Sequence, residues 1–246
     1  MERRFLDELS SNNEVNSEPG MTAKPVLVVA AHPDDEALGC GATMARMAAE
    51  GAKVSVLFLA DGETSRFGSN RDAVIGRQKA AHQACAVLGA SDVTFHQFPD
   101  NRLDTVALLD IVRVIEAALE RLQPFMVLTH HGGDLNIDHR RANQAVVTAC
   151  RPLRGRSVSV VRSFEIPSST EWATMSSGDV FRPNFFCEAS AHWSAKIAAL
   201  QIYHSEMKDY PHPRSVKAIE ALARYRGCSA GMELAEAFFT ERELVR

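Results

Sequence analysis

Residues 26–60 read VLVVA AHPDDEALGCGATMARMAAEGA KVSVLFLA, two apolar runs on either side of a segment with a helical pattern. Neither run alternates with polar residues, which is typical of parallel strands covered on both faces. Between the runs, small and apolar residues recur at helical spacing and a glycine follows them: Leu38, Ala42, Ala45, Ala49 and Gly51. The pattern predicts a strand, a helix and a second strand.

The same alternation continues along the chain. Further apolar runs occupy 93–98 and 125–130, and a helical pattern runs from Arg71 to Leu88. Before Pro124, apolar residues again follow helical spacing: Leu108, Ile111, Val112, Ile115, Leu119 and Leu122. Strands that alternate with helices predict an α/β fold, a Rossmann-like doubly wound and mostly parallel sheet. Ligands of such sheets bind at the carboxyl ends of the strands.

The length of 246 residues is typical of one α/β domain. Residues 1–23 are interpreted as a flexible polar tail and residues 24–246 as a single domain. Within it, 24–152 forms the sheet core, and 153–246 forms a C-terminal extension that borders the active edge. The extension is predicted to contain helices near 192–203, 215–227 and 232–239.

Composition and charge exclude several classes of protein. The chain carries 27 basic and 31 acidic side chains without a basic block, so we expect no nucleic-acid partner. Its longest apolar run, Val26–Ala31, is too short to span a membrane. Five scattered cysteines without a C-x-x-C pair indicate reduced thiols and a cytoplasmic location. No secretory signal is recognisable in residues 1–20, and whether Met21 is the native start stays open.

The first strand ends in a cluster of potential metal ligands. His32 and Asp35 flank a tight strand-to-helix turn and can face one point, where they would offer a nitrogen and an oxygen to zinc. Asp34 lies between them and would be free to face a water molecule. Acidic residues in a first helical turn also stabilise the helix dipole. That explanation leaves the histidine and the second carboxylate unexplained, so a metal site is favoured.

The fourth strand leads to a second cluster, GDLNIDHRRAN at 133–143. His139 begins the following helix and would lie at the same sheet edge as His32. Two histidines and one carboxylate are typical of a catalytic zinc with one open position. Asp138 is predicted to accept a hydrogen bond from a ligand histidine. Each histidine alone is more often a loop residue, but two strand ends together favour the metal.

With these motifs the chain resembles the LmbE-like, or PIG-L, zinc-dependent N-deacetylases of amino sugars. Arg77, followed by Val87-Leu88-Gly89, adds to the likeness. The resemblance spans residues 25–239 and rests on four further segments: AHPDDEALGCG (31–41), ADGE (60–63), GDLNIDHRRAN (133–143) and AEAF (235–238).

The resemblance implies one zinc ion per chain, bound by His32, Asp35 and His139. It implies that Asp34 is the general base, which takes a proton from the water that attacks an acetamide carbonyl. The expected substrate is a small N-acetylated amino sugar or glycoconjugate, whose identity stays open. A homo-oligomer is compatible with the resemblance.

One position departs from the family pattern. Asn136 stands where relatives often have a histidine, and an asparagine can donate a hydrogen bond to an oxyanion but cannot supply a proton. The proton for the leaving amine is therefore expected from His212, between two prolines, or from Asp34 itself. A proline-flanked histidine is equally typical of an exposed loop.

Other residues are candidates for contact with the substrate. Arg66 and Arg77 are predicted to hold a sugar hydroxyl or a phosphate, and Asp100 to accept from sugar hydroxyls. Each of these three residues could instead be a surface charge or a helix cap. Trp172 offers a ring face for a sugar, and Cys40 is interpreted as a small core residue.

Two other functions remain open. A two-metal phosphoesterase would also use the paired aspartates, and two metal ions per chain would distinguish it. A nucleotide-binding module is suggested by Gly39-x-Gly41, but Met44 stands where the third glycine of that motif belongs.

Overall fold

The computed structural model describes residues 24–155, 157–174 and 179–245. The predicted tail, residues 1–23 with Met21, lies outside the described residues. Within them the chain forms these elements: β1 Val26–Ala30, α1 Asp35–Ala49, β2 Val54–Ala60, α2 Arg71–Val87, β3 Asp92–Phe98, α3 Leu108–Leu122, β4 Met126–His130, α4 Ile137–Ala149, β5 Val160–Phe164, β6 Phe185–Glu188, α5 Trp193–Ile202, α6 Val216–Cys228 and β7 Ala235–Glu243.

The strands form one seven-stranded sheet in the order β3-β2-β1-β4-β5-β7-β6. Strands β1 to β5 pair in parallel, and β7 pairs antiparallel with both β5 and β6. Apolar side chains of α1, α2 and α5 cover one face of the sheet, and those of α3 and α4 cover the other. The predicted doubly wound, mostly parallel α/β fold is confirmed. None of the described helices is both long and apolar enough to cross a membrane.

The strand order reverses between β1 and β4, so the carboxyl ends of these strands border a crevice. Their backbone register extends to Val28 opposite Leu128. Beyond it, side chains bridge the strands. Thr129 Oγ1 donates to a β1 carbonyl at 3.1 Å, and the N–H of Ala31 donates to His130 Nε2 at 2.8 Å. The two strand ends are thus held together by side chains at the place where the predicted ligands begin.

The helix predicted at 232–239 is wrong, since residues 235–239 belong to strand β7 and residues 232–234 lie in the loop before it. Alanine and glutamate favour helices, but β7 finds pairing partners on both of its edges, β5 and β6. Sheet pairing of this kind overrides local propensity. As a result, the C-terminal part of the chain contributes strands to the sheet itself as well as helices beside it.

Gly39 and Gly41 lie inside α1, and Gly39 packs against the ring of Phe164 in β5 so closely that a Cβ would overlap it. We expect Gly39→Ala to lower the free energy of unfolding by about 1–3 kcal/mol, the usual cost of overpacking. Gly76→Ala is the matched control, because Gly76 lies in α2 with open space around its Cβ position. That change should raise stability by about 0.5–1 kcal/mol. Urea denaturation measures both, and a shift of the same sign in the two variants would contradict the packing argument.

Candidate metal centre and active site

The structure brings the three predicted metal ligands together. His32 follows β1, Asp35 begins α1 and His139 lies in the first turn of α4; all three are buried. Their potential ligand atoms lie within 4.8 Å of one another. Asp35 is central, with Oδ2 3.4 Å from His32 Nδ1 and Oδ1 3.4 Å from His139 Nε2. These residues can converge on a single cation.

The other ring nitrogen of each histidine faces a buried carboxylate. His32 Nε2 lies 2.9 Å from Asp138 Oδ2 and 3.1 Å from Asp100 Oδ1. His139 Nδ1 lies 3.1 Å from Asp134 Oδ1. Metal-binding histidines commonly use one nitrogen for the metal and the other for such a carboxylate. The predicted contact of Asp138 with a ligand histidine is present in the structure.

The residues present fit a divalent cation. Asp35 Oδ1 is buried and has no hydrogen-bond partner among the described residues, an arrangement that is costly for an isolated carboxylate. Burial lowers the pKa of His139, but Asp35 and Asp134 outweigh it and raise that pKa to about 9. The cluster therefore favours positive charge at its centre. Imidazole nitrogen and carboxylate oxygen are donors that zinc prefers.

His130, the last residue of β4, packs against the predicted ligand His139. Its ring stacks on that of His139 with the centroids 4.0 Å apart. Burial and the neighbouring His139 lower the pKa of His130 to about 3, so its ring stays neutral. Because its Nε2 already accepts from the backbone of Ala31, we interpret His130 as packing. Its place at a buried strand end was the only sequence signal for this role.

Asp34 adjoins the cluster in an unusual backbone conformation, with φ of 127°. Non-glycine residues seldom adopt such values, and they occur preferentially at functional sites. Arg214 Nη1 donates to its Oδ2 at 2.9 Å, and Arg77 Nη1 lies 4.0 Å away. Burial raises the pKa of Asp34 to about 6, although Arg214 works against the rise. A carboxylate that titrates near neutral pH suits proton transfer.

Three arginines converge on Glu206 beside Asp34. Arg66 contacts its two carboxylate oxygens at 2.9 and 2.8 Å, Arg77 Nη2 lies 2.7 Å away and Arg214 Nη1 3.5 Å away. Arg77 Nη1 is buried without a hydrogen-bond partner among the described residues. The structure thus places Arg66 and Arg77, predicted to contact substrate, in an ion-pair network at the site. Sequence reasoning missed Arg214 and Glu206.

Asp100 and Asn136 make contacts within the protein. Asp100 is buried next to His32, and its Oδ2 accepts from Ser65 Oγ at 2.6 Å. Asn136 precedes α4 and caps it, with Oδ1 accepting from the N–H of Asp138 at 2.8 Å. Its Nδ2 donates to Asn101 Oδ1 at 3.1 Å. Their predicted roles toward substrate and oxyanion stay predictions.

His212 borders the site indirectly. Its Nδ1 accepts from the backbone N–H of Arg214 at 3.1 Å, and its ring meets the half-exposed Trp172 edge-on with centroids 5.7 Å apart. Arg214, two residues further on, contacts Asp34. The proline-flanked loop therefore reaches the active site through an arginine. Cys40, as expected, is a buried residue of the core.

The carboxyl ends of the parallel strands thus carry a histidine–aspartate cluster with a basic carboxylate beside it, which is the site of a metal-dependent hydrolase. Residues 27–150, half of the chain, match the family model PIG-L, described as GlcNAc-PI de-N-acetylase. The chain belongs to this family of deacetylases, enzymes that hydrolyse N-acetyl amides.

Individual relatives agree with this assignment. The uncharacterized deacetylase YaiS of Escherichia coli is 29% identical over 188 residues, which cover 74% of this chain and 91% of that protein. A probable N-acetyl-alpha-D-glucosaminyl L-malate deacetylase of Bacillus cereus is 27% identical over 199 residues, which cover 75% of this chain and 89% of that protein. The solved structure of a conserved protein from Thermus thermophilus superposes with a TM-score of 0.71 at 30% identity. The superposition covers 91% of this chain and 97% of that protein.

Proposed function

We propose that this chain is a zinc-dependent hydrolase that removes the N-acetyl group from an amino sugar or glycoconjugate. The arrangement around Asp35 carries the proposal, because His32 Nδ1 lies 3.4 Å from Asp35 Oδ2 and His139 Nε2 lies 3.4 Å from Asp35 Oδ1, an oxygen without a hydrogen-bond partner among the described residues. The names of the curated relatives support an N-acetylated sugar as the substrate.

Zinc bound by His32, Asp35 and His139 would supply a Lewis acid for the acetamide carbonyl and acidify the attacking water. Asp34 accepts a proton from that water; with its pKa at about 6, it is mostly ionised at neutral pH. The Arg214 guanidinium orients the Asp34 carboxylate. As the C–N bond breaks, Asp34 returns the proton to the amine, and acetate is released. We assign the acid role to Asp34 because the contacts of His212 run to Arg214 and Trp172.

A single metal ion accounts for the cluster better than two. A second group of potential ligands, formed by His32, Asp100 and Asp138, shares His32 with the first. A neutral imidazole has one nitrogen lone pair for a metal and carries a proton on its other nitrogen. The proton on His32 Nε2 is well placed for Asp138 and Asp100. This favours a deacetylase over a two-metal phosphoesterase.

The test is acetate release from a panel of N-acetylglucosamine derivatives, with metal analysis of the same preparation. We expect about one zinc per chain, loss of activity on chelation and recovery when zinc is restored. Two metals per chain together with phosphate release from phosphoesters would establish the rival function. Failure to release acetate from every derivative would contradict the proposed substrate class.

Arg214 should matter more than His212. Arg214→Gln is expected to lower kcat/KM about 10- to 100-fold, because a charge-assisted hydrogen bond is worth about 1.5–3 kcal/mol. Arg214 also lowers the pKa of Asp34, so its loss should move the acid limb of the pH–rate profile to higher pH. His212→Gln should lower kcat/KM less than about tenfold and leave the shape of the pH–rate profile unchanged. A larger loss, together with the disappearance of a decline in rate at high pH, would make His212 the general acid.

A further inference from the structure

Helix α1, which begins at the predicted metal ligand Asp35, is broken at Cys40. The backbone there has φ of −145° and ψ of 23°, outside the helical range. The break separates the turn that carries Asp35 and Glu36 from the remaining turns of the helix. Sharp helix interruptions usually have an identifiable cause. Here two charged side chains from distant parts of the sequence bind the backbone on either side of the break.

Glu236 and Lys196 occupy the break. The two carboxylate oxygens of Glu236 accept from the N–H groups of Ala42 and Thr43, at 3.0 and 2.7 Å. Lys196 Nζ donates to the carbonyl of Leu38 at 2.8 Å and lies 2.5 Å from Glu236 Oε1. In an unbroken helix the N–H of residue 42 would bond to the carbonyl of residue 38. The ion pair therefore stands in for the helix's own hydrogen bonding.

Both charged groups are deeply buried, Lys196 with 3% and Glu236 with 5% of its surface exposed. Buried charges are costly unless they are paired and hydrogen-bonded, as these are. Glu236 is the acidic residue of the AEAF segment at 235–238, and its hydrogen bonds run to α1 and Lys196.

The part of α1 ahead of the break is held on another side as well. Tyr203 Oη donates to the buried carboxylate of Glu36 at 2.7 Å, and Cys40 Sγ donates to the carbonyl of Glu36 at 3.4 Å. Glu36 in turn accepts from the N–H of Asp34 at 3.1 Å. The first turn of α1 is thus fixed both at its flank and at its carboxyl end, independently of the rest of the helix.

We propose that Glu236 and Lys196 are positioning residues for deacetylation. They replace the hydrogen bonding of α1 at its break and so set the place of the first turn, with Asp34 and Asp35, relative to His32 and His139. The inference rests on the proposed function, since it concerns the same metal and base. A misplacement of about 1 Å at a catalytic centre can reduce turnover about 100-fold.

The test compares full-length Glu236→Gln with Glu165→Gln. Glu165 forms a partly buried ion pair with Arg226, 2.7 Å apart, and makes no hydrogen bond to α1 among the described residues, so it is the matched control. The double variant Glu236→Gln/Lys196→Met leaves no unpaired buried charge, so it stays testable where the single variant folds poorly. The single amide oxygen of the new glutamine can accept well from only one of the two N–H groups, that of Ala42 or that of Thr43. Each variant is loaded with Co²⁺ alone for its visible absorption spectrum and with zinc for kcat and KM.

We expect kcat to fall about 10- to 100-fold in Glu236→Gln and in the double variant, with KM within about twofold and an altered Co²⁺ spectrum. Glu165→Gln should lose some thermal stability and keep both the wild-type spectrum and the wild-type kcat. Wild-type spectra and kcat in both Glu236 variants would overturn the proposal. If the wild type hydrolyses no N-acetyl sugar, the proposed function fails, while the Co²⁺ spectra still decide whether Glu236 shapes the metal site.

Discussion

Asp34→Asn is expected to cut kcat about 10²- to 10⁴-fold, the usual cost of losing a general base. Asparagine has nearly the shape of aspartate, and its amide oxygen can still accept from Arg214, so the fold and the cluster should persist. It cannot accept a proton from the attacking water. Initial rates of acetate release at saturating substrate measure the effect.

Zinc content and the unfolding midpoint are the controls for Asp34→Asn, and both should match the wild type. An unchanged midpoint with about one zinc per chain would show that the loss lies in the chemistry. Near-normal turnover in this variant would remove Asp34 from the mechanism and return the general base to an open question.

Replacing any one of the predicted metal ligands by alanine is expected to weaken zinc affinity by at least about 100-fold. Loss of an outer hydrogen-bond partner alone typically costs about 10- to 100-fold, and loss of a ligand should cost more. The variants are His32→Ala, Asp35→Ala and His139→Ala, with Asp138→Asn as the intermediate case. Competition with a chelator gives the dissociation constants.

His82→Ala is the matched histidine control, since His82 lies on the exposed side of α2 and packs against Phe95. It should bind zinc as the wild type does. Full zinc occupancy in all three ligand variants would contradict the proposed metal centre. Full occupancy in Asp138→Asn would show that the Asp138 carboxylate stabilises the fold and does not contribute to zinc affinity.

Much of the fold could be predicted because its signals are local. The apolar runs at 26–30 and 53–60 became β1 and β2, and the helical spacing between them became α1. Once the sheet was parallel, its topology placed His32 and His139 at one edge. The proximity of these two histidines was therefore predictable from the strand ends.

The features that were missed depend on contacts between distant residues. Arg214 lies 180 positions from Asp34, and no periodicity in the sequence predicts their contact. Strand β7 was predicted as a helix because its pairing with β5 and β6 has no local signature. The contact of Asp100 with His32, 68 positions away, likewise has no local signal, and the predicted role of Asp100 toward a sugar stays a prediction.

The position of β7 between β5 and β6 has a consequence for biosynthesis. The residues of the first strands leave the ribosome early, but Glu236 must bond to Ala42 and Thr43 almost 200 positions back. Contacts of such sequence separation form slowly, and a nascent chain lacking β7 exposes one edge of the buried strand β5. Unpaired edges of this kind promote aggregation. Chains that terminate before residue 235 should therefore accumulate as insoluble protein, and the hydrogen bonds from Ala42 and Thr43 to Glu236 can form only after β7 has been synthesised.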